Sequence, residues 1–147
     1  MTMASGDTKV TITNQALILL GADTISSFSD TTNDASTVAN NIYETIKRKT
    51  LSLYPWSFAI VKEQLARSSQ TPVNEWTYQY DLPSTAVSGT PHQVYNSSGT
   101  RVLPIQSYEI IYTNSGPAIA THEETIFVDY VSSVVSEVLC LLILFSY

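Results

Sequence analysis

Apolar positions recur every three or four residues early in the chain and every second residue later. In "VTITNQALILLG", Ile12, Ala16, Leu19 and Leu20 share one helical face, and Gly21 stands where a left-handed cap would end the helix. The following "ADTISSFSDTTND" is dense in Ser, Thr and Asp, the chemistry of turns and N-caps. Ile25 and Phe28 in that loop are expected to tuck onto a core. From about Asn33 to Leu53, the residues Ala35, Val38, Ala39, Ile42, Tyr43, Ile46, Thr50 and Leu53 follow the i, i+3, i+4, i+7 rhythm. Thr32, Asn33 or Asp34 caps the start. Asn40, Glu44, Lys47 and Arg48 occupy the opposite face. Pro55 ends the helix, because the residue before a proline is pushed out of the helical region. Two helices joined by a polar loop make a helical hairpin.

After Trp56 the period shortens. "SFAIVKEQLA" reads as a strand in preference to a short helix, since Phe58, Ile60 and Val61 favour it. In "EWTYQYDLP", Trp76, Tyr78, Tyr80 and Leu82 share one face, Thr77, Gln79 and Asp81 share the other, and Pro83 stops the run. "HQVYNSSGTRVLPI" reads as a hairpin turning at Asn96–Gly99. "YEIIYTNSGPAI" gives a strand and a turn, and "ETIFVDYVSSV" a last strand. The chain then passes into "SSVVSEVLCLLILFSY", a second apolar helix candidate starting near Ser132 or Ser133. Helices, then strands, then a helix argue for α+β and against alternating βαβ units. The expected architecture is a helical bundle, made of the N-terminal hairpin plus the C-terminal helix, with an inserted, mostly antiparallel β region. The helical part is 8–54 and 132–147, the β region 57–131, and the 147 residues form a single domain.

The charge balance changes this picture little. Seven Lys and Arg against thirteen Asp and Glu give a net charge of −6, and only 14% of residues are charged. Phosphate binding rests on clustered cations, and the only basic cluster, Lys47-Arg48-Lys49, falls in a helix pattern as a solvated face. A surface of Ser, Thr, Asn and Tyr suits lateral protein contacts. The single cysteine, Cys140, excludes an internal disulfide and a cysteine-based metal cluster. "MTMASGDTKV" carries no secretory signal pattern. The apolar run Val138–Phe145 has eight residues, short of the ~20 that span a bilayer.

The search for chemistry finds no glycine-rich phosphate loop and no G-x-S-x-G elbow. His92 lies in a loop without a nearby acid. His122, Glu123 and Glu124 form the one local cluster of ligand-type side chains, but neighbours along a strand point to opposite faces and do not converge on one metal. Asn96-Ser97-Ser98 matches a glycosylation sequon that means little without a secretory signal. The aromatic residues of "EWTYQYD" are interleaved with acids, not with the cations that base stacking on nucleic acid needs. No catalytic residue, cofactor site or metal site is expected.

Three ordered blocks carry a resemblance. "NQALILLGADTI", "YETIKRKTLSLYPWSFAIVKEQLA" and "YQYDLPS" resemble the tail tubular protein A family of short-tailed bacteriophages, the head-to-tail adaptors. The matching positions are Ala16, Leu17, Leu20 and Gly21, then Pro55, Trp56, Phe58 and Ala59, then Tyr78, Tyr80, Leu82 and Pro83, spread over about half the chain. The resemblance implies a structural virion protein with no enzymatic activity, forming a homo-oligomeric ring of twelve copies between the portal and a tail nozzle of the tail tubular protein B type. DNA passes through the lumen of such a ring without sequence-specific binding. Localisation would be the short tail at the head–tail junction, after assembly in the host cytoplasm, with no membrane involved. Pro55, Trp56 and Phe58 would then form a structural joint, with the indole plugging the seam between bundle and β region. Trp76, Tyr78, Tyr80, Leu139, Leu142 and Phe145 are the interface candidates.

The sequence departs from the family in one respect. Family members continue into a longer helical region that reaches toward the portal, whereas here the chain stops after "VLCLLILFSY". An apolar run of this kind is expected to be covered by the bundle or by a partner, since burying each large side chain is worth ~1.5–3 kcal/mol. The competing readings are a small α+β ligand-binding or enzymatic domain, which a paired acid and histidine in a pocket would favour, and a membrane-associated protein using the apolar C-terminus.

Overall fold

Thr8 starts the first helix, accepting the Thr11 N–H on its hydroxyl at 3.4 Å, and α1 runs Lys9–Leu19. Gly21 ends it with φ of 73°, a left-handed conformation that glycine adopts without a Cβ clash. The Ala22 N–H reaches Leu17 O at 2.9 Å and the Gly21 N–H reaches Ile18 O at 3.0 Å, the paired bonds of a Schellman cap. The computed structural model describes residues 8–135. These divide into two compact units, one of residues 8–50 with Val135 and the other of Leu51–Val134.

In the first unit the loop after α1 folds back through a polar clamp. The Asn14 side chain donates to Ile25 O and accepts from Ile25 N–H, both at 2.8 Å. That clamp places Ile25 and Phe28 in a small core with Ala39, against which Val10, Leu17, Ala35 and Tyr43 pack. The Phe28 and Tyr43 rings meet edge-on at 5.4 Å, and Lys9 Nζ sits 4.7 Å above the Phe28 ring. Asn33 caps the second helix by accepting the Ala35 N–H at 2.9 Å, and α2 runs Asp34–Ser52. Ser36 is buried in its first turn and donates its hydroxyl to Ser27 O, tying the loop to the helix.

Several residues of the expected helical faces are exposed, Leu20 among them. Leu53 is exposed while Leu51 is fully buried. The helix ends at Ser52, so the helical rhythm no longer sets the direction of Leu53. Leu19 is also exposed, at the last turn of α1.

The second unit holds six strands in two antiparallel sheets. They are β1 (Ile60–Gln64), β2 (Tyr78–Asp81), β3 (Gln93–Tyr95), β4 (Tyr108–Thr113), β5 (Gly116–Thr121) and β6 (Phe127–Val131), with a 3-10 turn at Ile105–Ser107 before β4. One sheet has the order β1-β6-β3 and the other β2-β5-β4. Ile60 pairs with Val131 and Gln64 with Phe127, while Tyr78 pairs with Thr121 and Tyr108 with the same Thr121 from the other side. Gly99, with φ of 67°, closes the Asn96–Gly99 turn after β3. The core of this unit draws Val94, Val128 and Tyr130 from one sheet and Tyr80 and Ile119 from the other, closed by Leu65, Leu82, Leu103 and Ile126.

Among the described residues the architecture is therefore α+β, with two helices and two small antiparallel sheets. The expected helix start at Ser132 or Ser133 is corrected. Ser132 bridges to Ala86 and donates its N–H to Ala59 O at 2.8 Å, and the Ser133 N–H goes to Thr85 O at 2.8 Å. Residues 132–135 form no helix, and these bonds tie Ser132 and Ser133 to the β unit instead. The rest of the expected C-terminal helix lies outside the described residues.

Candidate interaction surfaces

Helix α2 carries a wider apolar stripe than α1 and its loop cover. Ala39 is buried and Ala35 and Tyr43 pack on the small core, but Val38, Ile42 and Ile46 remain 56%, 46% and 53% exposed. Facing them across the hairpin are Ile12, Ala16, Leu17 and Leu20 of α1 and its cap. Between the two rows lies an open groove of about 540 Å³. Its charged lining residues are Asp34 near one end of α2 and Lys47 near the other. Such a groove offers many apolar contacts and few polar partners. It suits an apolar side-chain row from a protein, not a polar substrate.

The β unit presents a different surface around Trp76 and His122. The indole N–H donates to Glu109 Oε2 at 2.8 Å, and Asn74 reaches the same oxygen at 3.3 Å. The His122 ring lies 4.9 Å from the Trp76 ring, and its Nδ1 is 2.9 Å from the Thr77 hydroxyl. Next to it, the Arg67 guanidinium lies 4.0 Å over the Tyr78 ring and donates to Glu124 O at 3.2 Å, with Glu124 Oε1 at 3.7 Å. A shallow polar cleft of about 260 Å³ runs beside these groups, lined by Arg67–Thr71 and Thr77–Gln79. His122 and Glu124 are thus engaged with different partners. Among the described residues no three His, Cys, Asp or Glu side chains are placed to hold a metal ion. No described helix is long and apolar enough to cross a membrane.

The interface candidates separate. Trp76 and Tyr78 are half-buried at the surface, and Tyr78 is occupied by Arg67. Tyr80 is corrected from interface to core. It is 1% exposed, and its hydroxyl donates to Glu123 O at 2.9 Å. Burial pushes the Tyr80 hydroxyl above the usual phenol range, with Arg67 opposing that shift. Leu139, Leu142 and Phe145 lie outside the described residues. Pro55, Trp56 and Phe58 all belong to the β unit, just past its first residue, Leu51. The Trp56 ring meets Tyr54 edge-on at 5.2 Å and Phe58 at a tilt at 6.1 Å, and it is half-buried within the chain.

Two polar networks escaped the sequence reading. The Tyr95 hydroxyl lies 2.7 Å from Asp129 Oδ2 and 2.6 Å from Gln93 Oε1, with Lys62 Nζ 3.4 Å above its ring. Its bond to the Asp129 carboxylate, then burial, raise the Tyr95 hydroxyl above its ordinary value. The Tyr130 hydroxyl donates to Glu63 Oε2 at 2.7 Å. No sequence period signals such pairs, because their members come from strands far apart in the chain. No protein-family model matches the chain, and no curated protein does.

Proposed function

We propose that the protein is a head-to-tail adaptor of a short-tailed phage virion, a structural ring subunit with no catalytic role. The observation that carries this reading is the open apolar groove on a two-helix hairpin, a surface suited to an apolar row of side chains from a protein segment. The hairpin then belongs to a helical bundle that a further helix, after the β unit, completes. The Pro55-Trp56-Phe58 segment follows the end of α2 and leads into the β region, where it would serve as the joint. Trp76 and Tyr78, held by Glu109 and Arg67, supply rigid aromatic contacts for a neighbouring copy or the nozzle. The acidic balance suits a lumen through which DNA slides without adhering. The ring, of twelve copies, sits between portal and nozzle.

Electron microscopy of the full chain, alone and mixed with its candidate portal, tests the reading. A twelve-fold ring at the narrow end of the portal is the expected result. A folded chain that stays monomeric in both samples would overturn it.

A further inference from the structure

We infer that β4 is a docking edge for a second copy of this chain, the two β4 strands pairing antiparallel about a two-fold axis. The inference lies within the β unit and does not rest on the ring proposed above.

The edges of the two sheets are β1 and β3 in one and β2 and β4 in the other. The Ser68 N–H goes to Gln79 O at 2.8 Å, beside the bridge from Arg67 to Tyr80, and this covers β2. The Leu103 N–H goes to Val94 O at 2.8 Å and the Asn96 N–H to Arg101 O at 2.9 Å, which covers β3. On β1 the Ile60 N–H is taken by Trp56 O at 3.1 Å, and the strand carries Lys62 and Glu63, charges of the kind that discourage edge pairing. Strand β4 differs from all three. It has no lysine and no proline, and its one charge, Glu109, is engaged by Trp76 and Asn74.

The register shows which groups of β4 are bare. The Leu82 N–H goes to Pro117 O at 3.0 Å, so the backbone of Pro117 faces β2 and away from β4. Tyr112 is opposite Pro117, and the direction of the backbone groups alternates along a strand. The N–H and C=O of Tyr108, Ile110 and Tyr112 therefore point away from β5. Among the described residues no group bonds to any of them. A bare row of this kind is completed by an extended strand.

A second β4 completes it in one register. With Ile110 opposite its own copy, Tyr108 faces the partner's Tyr112, and every outward N–H and C=O on both strands finds a bond. Glu109 then lies opposite the partner's Ile111, away from any carboxylate, and the Tyr108–Tyr112 pairs add aromatic contact. Tyr112, 76% exposed in the chain, gains cover. A slip that sets Glu109 opposite itself pairs fewer groups and opposes like charges. A second copy's β1 is a poorer occupant, since placing its Gln64 against Tyr108 brings its Glu63 opposite Glu109. The contact is isologous, so it joins two copies and stops there.

Sedimentation velocity and thiol trapping on the full chain test this, on a Cys140→Ser background so that each cysteine variant holds one thiol. Ile110→Cys sets the thiol opposite its own copy, within the reach of a disulfide. Thr113→Cys lies on the same strand but about 20 Å from its copy in this register. Tyr112→Pro deletes an outward N–H and no bond to β5, a place where an edge strand accepts proline. Sedimentation is followed up to about 1 mM chain, so that a weak contact is seen. The expected result is self-association of the parent that Tyr112→Pro weakens at least tenfold at unchanged circular dichroism. Mild oxidation should then close Ile110→Cys between chains at least tenfold more completely than Thr113→Cys. A parent that stays monomeric, or one whose association Tyr112→Pro leaves intact, would overturn the inference. Closure no better at Ile110→Cys than at Thr113→Cys would overturn it too, and that comparison decides alone if Tyr112→Pro fails to fold. A ring on the portal built from chains that fail these tests would leave the adaptor reading standing without this contact.

Discussion

Replacing Tyr80 separates a core role from an interface role. The side chain is 1% exposed and sits among Leu65, Ile119 and Tyr130, with its hydroxyl 2.9 Å from Glu123 O. Tyr80→Ala removes a whole buried ring. Truncations of this size cost about 3–5 kcal/mol, through lost transfer energy and the cavity left behind. Tyr80→Phe keeps the ring and deletes one hydrogen bond. Glu123 is half-buried, so water replaces part of that bond and the cost is about 1 kcal/mol. Urea unfolding followed by tryptophan fluorescence reads both variants cleanly, because Trp56 and Trp76 both lie in the β unit. The reasoning predicts a large fall in the urea midpoint for Tyr80→Ala, and a fall about a quarter as large for Tyr80→Phe. A Tyr80→Ala protein within about 1 kcal/mol of wild type, with unchanged denaturant slope, would refute the core assignment. The interface role expected for Tyr80 would then stand again.

Asn14→Ala loses both bonds to Ile25 and should cost the helical unit about 1–2 kcal/mol, read as a lower thermal midpoint by far-ultraviolet circular dichroism. Gly21→Ala places a Cβ in open space but at φ of 73°, so its cost is conformational alone, about 1 kcal/mol by the same assay. Trp56→Ala should cost about 1.5–3 kcal/mol in the isolated chain, less than a fully buried indole, and any further loss should appear only in assembled rings. The Tyr80, Tyr95 and Tyr130 hydroxyls all hold their protons above the ordinary phenol value, Tyr80 and Tyr130 mainly through burial and Tyr95 mainly through Asp129. A raised folded pKa contributes stability that is complete below the unfolded value of about 10 and is lost as pH rises through the folded value. The β unit should therefore weaken progressively above about pH 10, read as a falling urea midpoint between about pH 9 and 11. A midpoint that stays constant across that range would contradict this.

Local signals in the sequence were read correctly where the cause was local. Gly21 ends α1 because left-handed backbone favours glycine, and of the three cap candidates Thr32, Asn33 and Asp34 it is Asn33 whose side-chain oxygen accepts the N–H two residues on. The Asn96–Gly99 turn has the same origin. What the sequence withheld depended on distant partners. Asn14 looks like any polar helix residue until Ile25 returns to it, and Asp129 gains its meaning only from Tyr95 on another strand. The pairing of β1 with β6, across nearly the whole β unit, likewise has no local signature.

Cover was misjudged in opposite directions. Tyr80, grouped with Trp76 and Tyr78 as an interface candidate, is instead covered by the core of the β unit. Periodicity placed Val38, Ile42 and Ile46 on an inward face, whereas the hairpin leaves them open. A 3.6- or 2-residue repeat states which side of an element is apolar, not whether anything lies against that side. For Tyr80 the covering element is another strand of the same unit. For the α2 stripe no described element supplies the rest of the cover, and completing the burial of those three half-covered side chains is worth about 0.7–1.5 kcal/mol each. That unmet stabilisation is large enough to select a partner segment. The exposed stripe is therefore the part of the fold from which assembly should be read.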